Sequence, residues 1–465
     1  MLTQQAGKRS FAPYQRVLHD DLKGVSKIVT CMQKKILLLL TLFIIGCSTT
    51  ANFQGAHLDT YNVDTPKNKV YLSVQNTKIN ITGAFTDMTA FNGTYPGPLL
   101  FGRKNEIFEA HVKNNADTPI TVHWHGLQLP NSEDGVPGLT QEPQLPGEER
   151  TYRFNLTNSG TYWYHTHFES AEMIERGLQG PFIVGQESPL SFDGDRVLVL
   201  DDIRLDKYGN HDRFGIGVMH GRFGNVLTVN GKSQPDIPII REGRQRLRII
   251  NTANARTFQL TTGTPFTVIG RGIGYVEPYN TSMLTLSPGQ RYDVIIDSEG
   301  KQILLQDESF EKQTIAKLTP MDNPKHVSGS ENIVKDVDLD LQSAEVKNVE
   351  LRGERRGRGL AWLINGKADS GEFTLERGKT YVFNITNTQG QVHPMHLHGQ
   401  KFKVIDRTRG TIRDEAWLDT VNVLGGENVK IAFKAEGKGN WAFHCHILEH
   451  AEAGMMSTLK IKDSV

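Results

Sequence analysis

Four times in 465 residues the chain sets two histidines one residue apart: His123-Trp-His125, His165-Thr-His167, His396-Leu-His398 and His444-Cys-His446. Sixteen His placed at random would give roughly half of one such pair. Residues i and i+2 of a strand point to the same face, so each pair aims two imidazoles at one point. Eight neutral nitrogen donors can hold more than one metal ion, and imidazole alone suits Zn, Cu, Fe or Ni. Cys445 narrows the choice. It alternates away from His444 and His446 toward its own domain's interior, with His450 five residues on, Met455 five beyond that, and His393 upstream. Thiolate, two imidazoles and a thioether make the ligand set of a blue-copper electron-transfer centre. A structural zinc site would close four strong ligands in a tetrahedron, without a thioether. Met456 stands beside Met455, and spacing alone does not choose between them.

The pairs lie in a duplicated frame. Gly160-Thr-Tyr-Trp-Tyr-His-Thr-His167 aligns without gaps on Gly439-Asn-Trp-Ala-Phe-His-Cys-His446, and His123-Trp-His-Gly126 matches His396-Leu-His-Gly399. The separation is 40 residues from His125 to His165 and 46 from His398 to His444. The first and last domains therefore read as copies of one unit. Thr166 stands where the last copy has Cys445, so the thiolate site occurs once. The simplest geometry packs the first domain against the last, with the eight imidazoles converging at their interface. The middle region carries no such pair, and its relation to the repeat stays open.

The elements that must position these residues are short runs rich in Val, Ile, Thr, Tyr and Phe, broken by Gly, Pro and Asn-Gly. Residues 70–74, 151–155, 246–250, 291–296 and 380–384 are examples. Such runs, with no sustained helical period, predict all-β sandwiches. At roughly 150 residues per domain the length predicts about three. The expected divisions are 67–188, 195–320 and 344–465, with a polar, turn-rich linker over 321–343. Balanced charge, 52 Lys+Arg against 52 Asp+Glu, offers no concentrated positive field for nucleic acid. Three cysteines do not make a disulfide framework in a chain this long. Apolar content of 37% and charged content of 22% are too ordinary for disorder and too polar for an integral membrane protein.

The N-terminus reads as an address. Lys34 and Lys35 precede an apolar run, residues 36–45, that ends in Gly46-Cys47-Ser48. That run is about half of the roughly 20 residues a spanning helix needs and has the layout of a secretory signal. Ile44-Ile45-Gly46-Cys47 resembles a bacterial lipobox, which implies a lipidated Cys47 at the start of the mature chain. The expectation is an exported protein of the periplasm or cell envelope, tethered to a membrane through residues 47–66. Met32 lies two residues before Lys34, so residues 1–31 read as an over-extended start. No twin-arginine pair precedes the run, which predicts export unfolded and metal loading afterwards. Residues 1–46 hold seven Lys+Arg and two Asp+Glu, and their removal leaves 45 against 50, a net charge of −5.

From about Val70 to Lys462 the chain resembles the three-domain, laccase-like multicopper oxidases of bacteria. The motifs are His123-Trp-His-Gly, His165-Thr-His, His393-Pro-Met-His-Leu-His-Gly and His444-Cys-His-Ile-Leu-Glu-His-Ala-Glu-Ala-Gly-Met. The middle pieces Asn225-Val-Leu-Thr-Val-Asn-Gly231 and Leu286-Ser-Pro-Gly-Gln-Arg-Tyr-Asp293 are also family-like. The resemblance implies three consecutive cupredoxin-like Greek-key β-sandwich domains, the middle one a copper-free spacer. It implies four coppers per chain. A type 1 copper would be held by His393, Cys445, His450 and Met455, a type 2 copper by His123 and His396, and a type 3 pair by His125, His165, His167, His398, His444 and His446. A small reductant, a phenol or aromatic amine, would give electrons singly through the edge of His450, which the family usually leaves near the surface. Cys445, bonded in sequence to His444 and His446, would pass them on, and four would reduce O2 to two waters. Asp134, nine residues after His125, sits where the family often has its proton-relaying acid; read alone, it is a turn residue before Gly135. Ala451 follows His450, where some bacterial relatives carry an acid, so a second relay is not expected.

Two other classes compete. A metallo-oxidase of Cu(I), Fe(II) or Mn(II) would serve metal tolerance, but the copper-tolerance branch often carries a Met-rich insert because soft thioethers collect Cu(I). This chain has ten Met, clustered only at Met455-Met456, and Gln128 follows the first motif where relatives hold an acid. Both departures favour organic substrates. A copper-free structural relative is disfavoured by the complete ligand set. The expected oligomeric state is a monomer.

Overall fold

Why the alternating runs become strands is visible in their burial. Ile107–Asn114 buries Phe108, Ala110 and Val112 on one face and turns Glu109, His111 and Lys113 outward, the pattern of a strand covered on one side. Gly160–His165 and Gly194–Ile203 are buried along their whole lengths, because neighbouring domains cover their second faces.

The structure, a computed structural model, describes residues 56–57, 67–185, 192–215, 219–322, 339–356, 359–369, 371–412 and 415–464. The over-extended start, the signal segment, Cys47 and most of the 47–66 tether lie outside the described residues, as do residues 323–338 of the expected linker. Ala56–His57 pairs in parallel with Thr94–Tyr95.

The strands form three sandwiches of two sheets each. In the first, Lys69–Asn80 pairs antiparallel with Phe85–Phe91 and parallel with Ile107–Asn114, which pairs antiparallel with Glu149–Asn155. The last repeats that scheme with Glu345–Arg356, Gly359–Ile364, Thr380–Asn387 and Asn428–Lys434. The middle repeats it again with Gly194–Ile203, Val226–Val229, Glu242–Asn251 and Arg291–Glu299. The question the sequence left open is thus answered by topology: the middle domain is a third copy of the same pairing scheme.

The second sheets also correspond. Gly160–His165 lies between Gln179–Gly185 and His123–His125 in the first domain, and Gly439–Cys445 lies between Met456–Lys462 and His393–Leu397 in the last. At the equivalent places the middle domain has Ile303–Asp307 and Phe258–Thr261, whose inward residues Leu305, Phe258 and Leu260 are apolar core. Two short α-helices occur among the described residues, Ser170–Glu175 and Leu448–Glu452, each just after its domain's second histidine pair. They pack through Ala171, Ile174 and Leu448. Asn254 of the middle domain clamps both: its Nδ2 donates to the Ala171 carbonyl at 2.6 Å and to Glu449 Oε1 at 3.0 Å, and its carbonyl accepts from the Leu448 N–H at 3.2 Å.

Candidate metal centre

Register brings the pairs together. His123 stands opposite His165 in the first domain and His396 opposite His444 in the last, so the duplicated sequence positions are duplicated cross-strand positions. Directly paired residues share a sheet face, and the two faces meet at the interface between these domains. Ring centroids separate His123 from His396 by 5.7 Å. His167, His398 and His444 form one triangle with sides of 5.1 to 5.2 Å. His125, His165 and His446 form another with sides of 5.0, 5.7 and 5.9 Å. All eight side chains are buried.

Oxygen acceptors occupy Nδ1 of five of these rings, and the Nε2 atoms of His398 and His444 face each other at 3.0 Å. Nδ1 of His123 meets the Asp134 carbonyl at 2.8 Å, Nδ1 of His165 the Thr166 carbonyl at 2.8 Å, Nδ1 of His396 the Asp419 carbonyl at 2.9 Å and Nδ1 of His444 the Cys445 carbonyl at 2.9 Å. Nδ1 of His398 meets Asp134 Oδ2 at 2.9 Å. The Nε2 atoms of His123, His165, His167, His396 and His446 are buried without a partner. A buried polar atom without a hydrogen bond is costly, and a cluster of lone pairs converging in this way fits metal ions. Burial, reinforced by neighbouring imidazoles, holds His125, His165, His167, His396, His398 and His446 well below the ordinary histidine range, and burial takes His444 down to about 4. Neutral imidazole is the ligand form.

Behind this cluster, on the opposite sheet face, lies a second. Cys445 pairs with Met395 across the sheet, and His393 is two residues along on the same face. Cys445 Sγ is 3.6 Å from His393 Nδ1 and 3.8 Å from His450 Nδ1, and the two nitrogens are 3.3 Å apart. Burial pushes the Cys445 thiol up and takes His393 down to about 4. The neighbouring methionines are separated by the pleat. Met456 pairs with His444 and so faces the other way, whereas Met455 is fully buried and its carbonyl accepts from the Cys445 N–H at 3.0 Å. Of the two methionines, Met455 is thus the one whose backbone is bonded to Cys445.

Two findings differ from the sequence reading or add to it. His450 has no exposed surface, whereas the resemblance placed its edge near the solvent. The Trp362 ring packs against it in a tilted arrangement, centroids 4.2 Å apart, the Met219 backbone lies against it, and Gln391 Nε2 donates to the Met219 carbonyl at 2.9 Å. Gly221 follows on, packed on Ile447 and Ala255. The cover joins Trp362 of the last domain to a segment of the middle domain, so sequence around His450 could not reveal it. The second is Asp419, a buried carboxylate whose Oδ1 lies 3.1 Å from His125 Nε2. No spacing pattern marks it; only its partner Arg291, inside the family-like piece 286–293, carried a signal. Asp134, by contrast, lies where its motif position led: Oδ2 on His398 and Oδ1 3.3 Å from His123 Nδ1.

Sequence signatures of the multicopper oxidase family match residues 73–189, 210–304 and 338–465. The chain belongs to the multicopper oxidases. Among relatives of this oxidase, laccase-1 of Botryotinia fuckeliana is 27% identical, covering 88% of this chain and 85% of its own. Multicopper oxidase mco of Staphylococcus aureus is 28% identical over 82% of this chain and 85% of its own. The solved multi-copper oxidase of Pseudomonas thermotolerans superposes with a TM-score of 0.78 at 26% identity, covering 85% of this chain and 99% of the other. That of Campylobacter jejuni, described as a metallo-oxidase, does so with a TM-score of 0.75 at 25% identity over 89% and 96%. The three sandwiches of this multicopper oxidase are cupredoxin-like, and the family implies copper, O2 and a reducing substrate.

Proposed function

We propose that this multicopper oxidase couples one-electron oxidation of phenolic or aromatic-amine substrates to reduction of O2 to water. The observation that carries the reading is the pairing of a buried Cys445–His393–His450 triangle with a separate cluster of eight buried imidazoles, joined by a single strand. His393, Cys445, His450 and Met455 would hold a type 1 copper, His123 and His396 a type 2 copper, and the triangles His125–His165–His446 and His167–His398–His444 a type 3 pair. Copper there supplies reversible one-electron chemistry at the thiolate and four-electron reduction of O2 at the imidazole cluster.

The chain's own residues do the rest. Cys445 is covalently continuous with His444 and His446, which gives a short through-bond path between the clusters. Trp362 and the Met219 segment shield His450 from water, and electrons from a docked substrate cross that thin cover to reach its ring. Two waters require four protons, and Asp134 is a buried acid beside the cluster, its Oδ2 accepting from His398 Nδ1. A second reading, oxidation of Cu(I), Fe(II) or Mn(II), is favoured by the cover over His450, which a small ion evades more easily than a ring. For localisation we propose export, lipidation at Cys47 and a monomeric, envelope-tethered enzyme. An intact mass beginning at a lipidated Cys47 is the expected result; a mature chain that keeps residues 1–31 would defeat it.

The test is copper loading followed by oxygen uptake with a phenol, Cu(I) and Mn(II) side by side. A blue protein binding four coppers and consuming O2 with the phenol is the expected result. A colourless protein with far less copper would overturn the reading, and uptake with the metal ions alone would replace the substrate.

A further inference from the structure

His125 is held the opposite way round from its neighbours. Five of the rings give Nδ1 to an oxygen acceptor; His125 instead gives Nε2 to Asp419 Oδ1, with Thr420 Oγ1 3.3 Å away, and its Nδ1 is the buried atom left without a partner. A neutral imidazole carries one N–H, and the nitrogen that donates cannot also offer its lone pair. A carboxylate at Nε2 therefore places the proton there and the lone pair on Nδ1.

Asp419 is itself fixed from the middle domain. Arg291 Nη1 and Nη2 donate to its two oxygens at 2.7 Å each. The remaining three donors are also used: Nε to the Thr161 carbonyl at 3.0 Å, Nη1 to Gly289 at 3.1 Å and Nη2 to Gly272 at 2.9 Å. A guanidinium has five N–H donors in a rigid fork. Here all five are engaged, on acceptors from the first, middle and last domains. The fit is tight: a Cβ at Gly126, the residue after His125, would stand 2.7 Å from Arg291 Nη2 and 2.8 Å from Asp419 Oδ2.

We propose that the Arg291–Asp419 pair is a positioning device through which the copper-free middle domain selects Nδ1 of His125 as the ligand atom and so completes the imidazole cluster only when all three domains are docked. Asp419 and Arg291 act through His125 and are positioning residues. Thr420 Oγ1, donating to Asp419 Oδ1 at 2.8 Å, steadies the same oxygen. The inference rests on the copper reading above.

The experiment compares full-length wild type with Asp419→Asn, Arg291→Lys and the milder Thr420→Val after identical copper loading. Three quantities are read: copper per chain, visible absorption of the Cys445 centre, and the fraction of copper visible by electron paramagnetic resonance. The expected result in Asp419→Asn and Arg291→Lys is unchanged blue absorption, since those ligands all lie in the last domain. Copper per chain falls by at least one ion, or the resonance-visible fraction rises because the type 3 pair uncouples. Thr420→Val moves the same way by less. Full copper content and an unchanged resonance signal in both charge-pair variants would overturn the proposal. So would parallel loss of blue absorption and of copper-free thermal stability in all three variants, which would make the pair a structural keystone alone. A wild-type chain that takes up no copper would defeat the underlying reading instead.

Discussion

At the scale of single residues, the two clusters differ in what each asks of its side chains. Cys445 is buried and its thiol pushed up, so the metal-free protein keeps the proton. Binding to the thiolate must expel it, and metal uptake is then coupled to proton release. Cys445→Ser removes the soft donor while conserving volume. We expect loss of blue absorption and of substrate oxidation with little change in melting temperature, checked by visible spectroscopy and calorimetry; a variant that stays blue would contradict the assignment. Asp134 orients two rings through His398 Nδ1 and His123 Nδ1. Loss of such supporting partners commonly costs about 10–100-fold in metal affinity or activity. Asp134→Asn should keep its blue colour and lose oxygen consumption in that range, and unchanged turnover would remove Asp134 from the mechanism.

At the scale of elements, the pleat separates the clusters, and Trp362 with a middle-domain segment covers His450 of one of them. In His444-Cys445-His446 alternate residues serve opposite faces of one strand, which is why the thiolate and imidazole sites lie back to back. The cover over His450 is held at the Met219 carbonyl by Gln391. A net hydrogen bond is worth about 0.5–1.5 kcal/mol, roughly 2–10-fold in an equilibrium. Gln391→Ala should therefore lower the KM for a bulky phenol by about that factor, with little effect on a small outer-sphere reductant. Steady-state kinetics with both donors is the check, and equal changes for the two would show that the segment does not screen by size.

At the scale of the whole molecule, the interface is built from histidines that must stay neutral. Burial holds His393 and His444 near 4 and most of the other imidazoles of the cluster well below their ordinary range, against about 6.5 when unfolded. Between pH 6.5 and 4 the unfolded chain binds protons that the folded chain refuses, so stability falls as pH falls through that window. We expect the denaturation midpoint of the metal-free protein to drop steadily from pH 7 to 4; a flat profile would mean that the rings take up protons in place. Loaded copper, which binds the folded state, should raise the midpoint at neutral pH.

The histidines and cysteine that gather into the two buried clusters, the two histidine-bearing copies and the all-β class were legible in the sequence. Their basis is local: strand alternation fixes which neighbours share a face, and four histidine pairs in a duplicated frame leave few geometries. Asp419 and the Met219 contact were not legible, because each acts across hundreds of residues and neither has a local pattern; Arg291 lay in a family-like piece, but its partner in the last domain did not show. Telling Met455 from Met456 needed the register with His444, and the kinship of the middle domain needed its strand pairing, since apolar side chains fill the places where the outer copies carry histidine. Sequence by itself determined the chemistry through donor types and spacing. Tertiary structure decided which nitrogen each ring presents and what shields the site, because both depend on contacts between domains that only folding brings together.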